Sequence, residues 1–287
     1  MPNQTIENIV TAIHYLEAHL TEKNDLDTVA DALHYSKYHL HRMFTNTVGM
    51  TIHEYVLRRR LTEAAKLLIF SDKPVLDIAL TAGYESQQAF TKIFTAMYKQ
   101  PPSKYRENEK FYPLQLKFEL EGSYHMLNSY GDPAWNITYA KDGDIPCWME
   151  LVRLVIDGFP YLDEKDYMQV LRRSIAERQA LILKDGRTAI GILLFSRETG
   201  SIDFMGTHPL YKKKGIPKAF LDKVMHELLD GKEISITTYR EGDRADTGHR
   251  MEIKDLGFAE AELLVEYGYP TQRFVLPKEE PHAKISG

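Results

Sequence analysis

The chain has 287 residues, 43% apolar, 27% charged and 11% aromatic, with 36 Lys/Arg against 41 Asp/Glu. That composition is ordinary for a soluble globular protein and excludes disordered, collagenous and disulfide-scaffold classes; at roughly 100–200 residues per domain it predicts two domains. The single cysteine, Cys147, rules out an internal disulfide. With no signal-peptide pattern and no run of about 18 apolar residues, a cytoplasmic protein without a membrane partner is expected.

Up to about Tyr105 apolar residues recur at three- and four-residue spacing, which predicts an all-α domain. Residues 1–110 hold 13 Lys/Arg and 13 Asp/Glu, so the net charge of −5 lies in the remainder. Between Lys37 and Arg60, five basic residues face Glu54 alone. Such a stripe suits phosphate contacts or a solvated helix face.

Offset by 50 positions, this region repeats itself. Leu26 matches Leu76, Asp27 Asp77, Ala32 Ala82, Ser36 Ser86, Phe44 Phe94, Thr45 Thr95 and Tyr55 Tyr105. Each unit reads as two short helices around a tight turn: Leu26–Leu33 and a helix capped by Ser36, then Val75–Ala82, Gly83 and a helix capped by Ser86. That is helix-turn-helix geometry. With Leu40, Met43, Phe44 and Phe90, Ile93, Phe94, Met97 turned inward, the outward sets are Lys37, Tyr38, His41, Arg42 and Gln87, Gln88, Thr91, Lys92. Arg and Lys can donate to guanine, Gln can pair bidentately with adenine, and Thr offers a hydroxyl or a methyl.

A helix capped by Thr51 and running through Phe70 joins the units. Its 19 or so residues span roughly 28 Å, against about 34 Å between successive major-groove faces. One chain can therefore set both second helices on one side of a duplex. Arg58, Arg59 and Arg60 on this connector fit phosphate contacts or ion pairs equally well.

The stretch from Asp25 to Arg106, with YSKYHLHRMF, RRRLTEAAKLL, DIALTAGYESQQAFTKIF and PPSKYR, resembles the AraC/XylS family of bacterial transcription regulators, and within it the MarA/SoxS/Rob branch. The resemblance covers about 80 residues. It implies double-stranded DNA as partner, base contacts from Tyr38, His41, Arg42, Gln87, Gln88 and Lys92, and an action on RNA polymerase. His41 and Lys92 depart from the Gln and Arg usual in that branch.

The domain boundary falls near 110, with 111–131 as linker, although Leu114–Leu120 alternates like a strand. From 132 to 287 the order is strand (Asn136–Ala140), helices (Trp148–Ile156, Glu164–Ile175), strands (Ala180–Lys184, Ala189–Phe195, Ser201–Thr207), helix (Pro217–Leu229), strand (Glu233–Tyr239), short helix (Arg250–Leu256) and strands (Glu260–Glu266, Gln272–Leu276). Three consecutive strands followed by alternation predict an α+β fold. In THPLYKKKGIPK a strand runs into a basic Gly-containing turn that opens a helix, an arrangement apt for phosphate or for solvent.

The segment THPLYKKKGIPKAFL, with strands ILLF and IDFMG before it and DLGF after it, resembles the GNAT N-acetyltransferase fold over about 150 residues. That resemblance implies acetyl-CoA as cofactor, with its pyrophosphate at Lys212, Lys213, Lys214, Gly215, Ile216 and Lys218. Its pantetheine would lie along Met205, Gly206 and Thr207. Pro217 removes one N–H from such a cradle. Ile253 stands where the family often has a catalytic Tyr, so no catalytic residue is assigned; Asp203 or Glu252 as base and Tyr211 or Tyr239 as acid compete with plain surface and core roles. His39 and His41 diverge on their helix, and no metal is expected. The whole reads as a regulator with a sensory or acyl-CoA-binding domain for a small-molecule effector. The alternative is an active N-acetyltransferase for a small amine with an autoregulatory DNA-binding half.

Overall fold

The computed structural model describes residues 2–22, 25–120, 135–156, 164–229 and 231–276. Helices α1 (Pro2–Ala18), α2 (Leu26–Ala32), α3 (Lys37–Val48), α4 (Ile52–Phe70), α5 (Val75–Thr81), α6 (Gln87–Tyr98) and α7 (Pro102–Glu107) come first. Units one and two of the repeat are α2–α3 and α5–α6. Side-chain caps start their second helices: Ser36 accepts from the His39 amide at 3.3 Å and Ser86 from the Ala89 amide at 3.2 Å. Thr51 starts α4 by accepting from the Glu54 amide at 3.1 Å. Each such cap is worth about 1 kcal/mol. The second helix of each unit ends on a left-handed residue, Gly49 after α3 (φ 86°) and Lys99 after α6 (φ 60°).

The C-terminal part carries α8 (Ile145–Val155), α9 (Glu164–Ala176), α10 (Ile216–Lys223) and α11 (His249–Asp255). Among the described residues it forms one sheet in the order β1-β2-β3-β4-β5-β7-β6. The strands are β1 (Thr138–Tyr139), β2 (Ala180–Asp185), β3 (Thr188–Phe195), β4 (Ser201–Thr207), β5 (Ser235–Tyr239), β6 (Ala259–Glu266) and β7 (Tyr269–Val275). Residues sort to its two faces in alternation, broken at Ile190 by the register shift that sets Leu183 opposite Gly191 and Lys184 opposite Ala189. Ala180, Ile182, Ile192 and Leu194 meet α8 and α9, whereas Leu181, Leu183, Ile190 and Leu193 meet α10. Gly191 is required where α10 lies on β3, since a Cβ there would meet Phe220 at 2.6 Å and Ile216 at 2.7 Å.

β4 and β5 are parallel neighbours, and their pairing stops after Ser201↔Ser235 and Ile202↔Ile236. Beyond that point β4 runs to Thr207 and β5 to Tyr239 with a cleft between them.

One buried cluster runs through both parts. Ile6, Ile9, Leu40 and Phe44 of the helical part belong to one buried cluster with Trp148, Leu151, Leu171 and Ile182 of the mixed part. Residues 111–120 lie between the parts and are mostly buried; the rest of the expected linker, 121–131, lies outside the described residues.

Despite its strand-like alternation, Leu114–Leu120 forms no strand, as a linker would not. Its backbone finds side chains of α4 instead of a neighbouring strand. The amides of Leu114 and Gln115 donate to the Thr62 hydroxyl at 3.0 and 3.1 Å, and their carbonyls accept from Arg58 and Arg59 at 3.2 and 3.1 Å. Once its polar groups are satisfied in this way, the segment has no need of a sheet.

Candidate functional site

Two surfaces carry the residues singled out in the sequence. The first is formed by the N-terminal halves of α3 and α6, where Lys37, Tyr38, His41, Arg42, Gln87, Gln88 and Lys92 are exposed and Thr91 is half-buried. Beneath them Leu40, Phe44, Phe90 and Phe94 are fully buried and hold each helix on its unit. Tyr38 is 77% exposed, with the Arg42 guanidinium 5.9 Å from its ring centroid. A flat aromatic beside a forked cation is suited to the edge and backbone of a duplex. Lys37 is held by Asp27 at 2.8 Å, which raises its pKa through that hydrogen bond and the carboxylate charge.

The structure turns the three connector arginines into the protein, Arg59 through ion pairs and Arg58 and Arg60 mainly through backbone carbonyls. Arg58 is fully buried, donating to the Leu114 carbonyl at 3.2 Å and to the Ala245 carbonyl of the second part. Arg59 pairs with Glu17 at 2.8 Å and Glu63 at 2.9 Å. Arg60 donates to the Leu20 and Glu22 carbonyls. Each clamps α4 to its surroundings.

The second surface is the cleft between β4 and β5, of 910 Å³. Of the residues expected to meet a cofactor, Met205, Gly206, Thr207, Lys212, Gly215 and Lys218 line it. Lys213 instead donates to the Asn46 side chain of α3 at 3.2 Å, and Ile216 is buried under β3. Lys214 is exposed outside the cleft lining. At Gly215 the approach is open, because a Cβ there would meet nothing within 4 Å.

Among the acid–base candidates, Asp203, Glu252 and Tyr239 line the cleft, whereas Tyr211 donates to Asp185 at 2.5 Å. Burial raises the Asp203 pKa, opposed by a hydrogen bond from Ser201 at 2.6 Å. Among the described residues no His/Cys/Asp/Glu group has the makings of a metal site, and no helix is long and apolar enough to cross a membrane.

No pattern in the sequence indicates that the helical part helps to build this cleft. Val48 and Met50, at the end of α3, and Gln115 and Phe118, beyond α7, line it too. Its two lips each contact a different unit of the repeat. The turn after β4 brings Lys212 so near Gly49 that a Cβ there would lie 2.5 Å from the ammonium nitrogen. In the loop after β5, the almost fully buried carboxylate of Asp243 pairs with Lys99 at 2.7 Å, and it also accepts from the Ala245 amide at 2.8 Å and the Tyr269 hydroxyl at 3.1 Å. These contacts join residues far apart in sequence and leave no local pattern to read.

Chemically, the diverging strands leave backbone groups free to pair with an extended amide-bearing ligand. Lys212, Lys218 and the start of α10 add positive potential at the mouth.

Two helix-turn-helix units on one rigid helix, each presenting a polar face, define a bipartite helix-turn-helix protein. Residues 29–108 match the helix-turn-helix domain family. The probable transcription factor PqrA of Proteus vulgaris is 46% identical over 106 residues, which make up 36% of this chain and 86% of PqrA. The chain belongs to the AraC family of helix-turn-helix transcription regulators. The uncharacterized regulator YbfP of Bacillus subtilis is 42% identical over 94 residues, so the chain spans about a third of that relative's length, 32%. For the mixed part, a GNAT-family acetyltransferase from Bacillus cereus aligns at a TM-score of 0.40 and 15% identity, covering 52% of this chain and 100% of that one.

Proposed function

We propose that the protein is a sequence-specific transcription regulator that reads two neighbouring major grooves of double-stranded DNA with α3 and α6 and recruits or occludes RNA polymerase. The observation that carries this is the paired exposure of Lys37, Tyr38 and Arg42 with Gln87, Gln88 and Lys92, at equivalent places on two repeated units, with His41 exposed beside the first set. Residues 1–110 form the reading part and 132–287 the effector part, joined through 111–131.

The effector is an acyl-CoA, for which acetyl-CoA is the first probe. Support comes from the parallel pair β4/β5 that separates after two residue pairs, and from the basic turn leading into α10. Met205, Gly206 and Thr207 would take the pantetheine arm, and Lys212, Gly215 and Lys218 the phosphates. Such a cofactor supplies a thioester-borne acyl group; the chain's own part here is to bind and orient it.

Sensing is favoured over acyl transfer because Ile253 lines the cleft and cannot protonate a departing thiolate. The alternative, acetylation of a small amine, is supported by the raised pKa of Asp203, which fits a proton acceptor in the cleft.

Linkage provides the test. If acetyl-CoA is an effector, it must change affinity for a selected DNA site by the factor by which that DNA changes affinity for acetyl-CoA. Equal, non-unit factors support sensing. Unlinked binding together with rapid amine acetylation by the full chain would replace it with the enzyme.

A further inference from the structure

The cleft and the reading face meet at two separate points. The β4 lip holds unit one through Lys213 on Asn46 and through Lys212 against Gly49, the residue that ends α3. The β5 lip holds unit two through Asp243 on Lys99, the residue that ends α6. Gly49 and Lys99 are equivalent in the repeat, 50 positions apart. The same mixed sheet therefore grips both recognition helices at corresponding ends, each by the strand that borders one side of the cleft.

From this arrangement we infer that the ligand in the cleft sets the spacing and relative tilt of α3 and α6, so that the effector selects the distance between the two DNA half-sites the chain accepts. The inference rests on the acyl-CoA reading above and names how that site regulates.

A ligand wedged between β4 and β5 bears on both strands, and each lip carries its helix end with it. Between the reading units only the joints at either end of α4, near Gly49–Thr51 and Ser71–Pro74, lie outside regular helix. These few residues can absorb a change of angle while α4 stays rigid. A second effect adds at the β4 lip, where phosphate bound at Lys212 competes with the negative end of α3 for the same ammonium.

The test uses the full chain and a duplex site that it selects from random sequence. Affinity is measured for that site and for a version with one base pair inserted between its halves, each with and without acetyl-CoA, while acetyl-CoA binding is followed directly. The expected result is a change of at least about fivefold in the ratio of the two affinities when acetyl-CoA is bound, the low end for coupled sites. The double variant Lys99→Gln/Asp243→Asn removes the β5-lip pair without stranding a buried charge. It should bind acetyl-CoA as the wild type does and lose the change in ratio.

Acetyl-CoA binding that leaves the wild-type ratio unchanged would overturn this inference and spare the acyl-CoA reading. A double variant that keeps the change would overturn the grip at Lys99 as its route. Failure of acetyl-CoA to bind the wild type would overturn the acyl-CoA reading and this inference together.

Discussion

In unit one the recognition helix ends at Gly49, whose bare backbone lets the Lys212 ammonium lie against it; in unit two the equivalent residue is Lys99, which carries its own charge to Asp243. Inward-facing residues are shared, with Phe44 and Phe94 both fully buried. The ends that meet the second part have diverged to opposite chemistry, a cation offered to unit one and an anion to unit two. A duplicated unit thus keeps what its own core needs and changes where its surroundings differ.

The largest effect should come from breaking the joint between the two parts. Arg58 is fully buried, with carbonyls from both parts of the protein as partners and Glu54 at 3.6 Å. Arg58→Met should cost about 2–6 kcal/mol in urea unfolding, since it leaves two buried carbonyls unpaired at about 1–3 kcal/mol each. A loss under about 0.5 kcal/mol, as at an ordinary surface site, would mean that the parts are not joined there.

Next comes pH, which acts on the lip of unit one alone. His208 opens that turn, is 3% exposed, and accepts from the Leu210 amide at 3.2 Å. Burial lowers its pKa from 6.5 to about 4. Between those values the unfolded chain takes up the proton and the folded one does not. The stability is therefore complete above pH 6.5 and lost as pH falls toward 4, by up to about 3 kcal/mol. An acid titration of unfolding free energy should show this slope, and His208→Gln should flatten it.

The repeat was legible because its signal is local: caps at Ser36, Thr51 and Ser86 and apolar residues at helical spacing fix each unit from within. The sheet strands were legible for the same reason, since Leu181 to Leu183 and Ile192 to Phe195 alternate between two covered faces. The alternation at Leu114–Leu120 carries no strand, because the partners of that segment are side chains of α4 some 50 residues earlier. The share of Val48, Met50 and Phe118 in the cleft was hidden likewise, as it arises only when the two parts dock.

At the reading face, Arg42→Ala in unit one and Gln88→Ala in unit two should each cost about 1–3 kcal/mol at the selected site and leave random-sequence binding nearly unchanged. Equal weakening on both kinds of DNA would make them backbone contacts. The smallest expected effect separates the two helix ends. Gly49→Ala should lose about 1–2 kcal/mol through its left-handed backbone. Lys99→Gly gains a comparable backbone relief and forfeits the pair with Asp243, so its net change should stay within about 0.5 kcal/mol. Similar losses for both would erase the contrast between the units.

The central claim, that one chain reads two neighbouring grooves, is tested most directly by a hydroxyl-radical and methylation-protection footprint of the full chain on its selected site. The account predicts a non-palindromic site with two protected major-groove segments per chain, centred about 10 base pairs apart on one side of the duplex. A single protected groove per chain would contradict it.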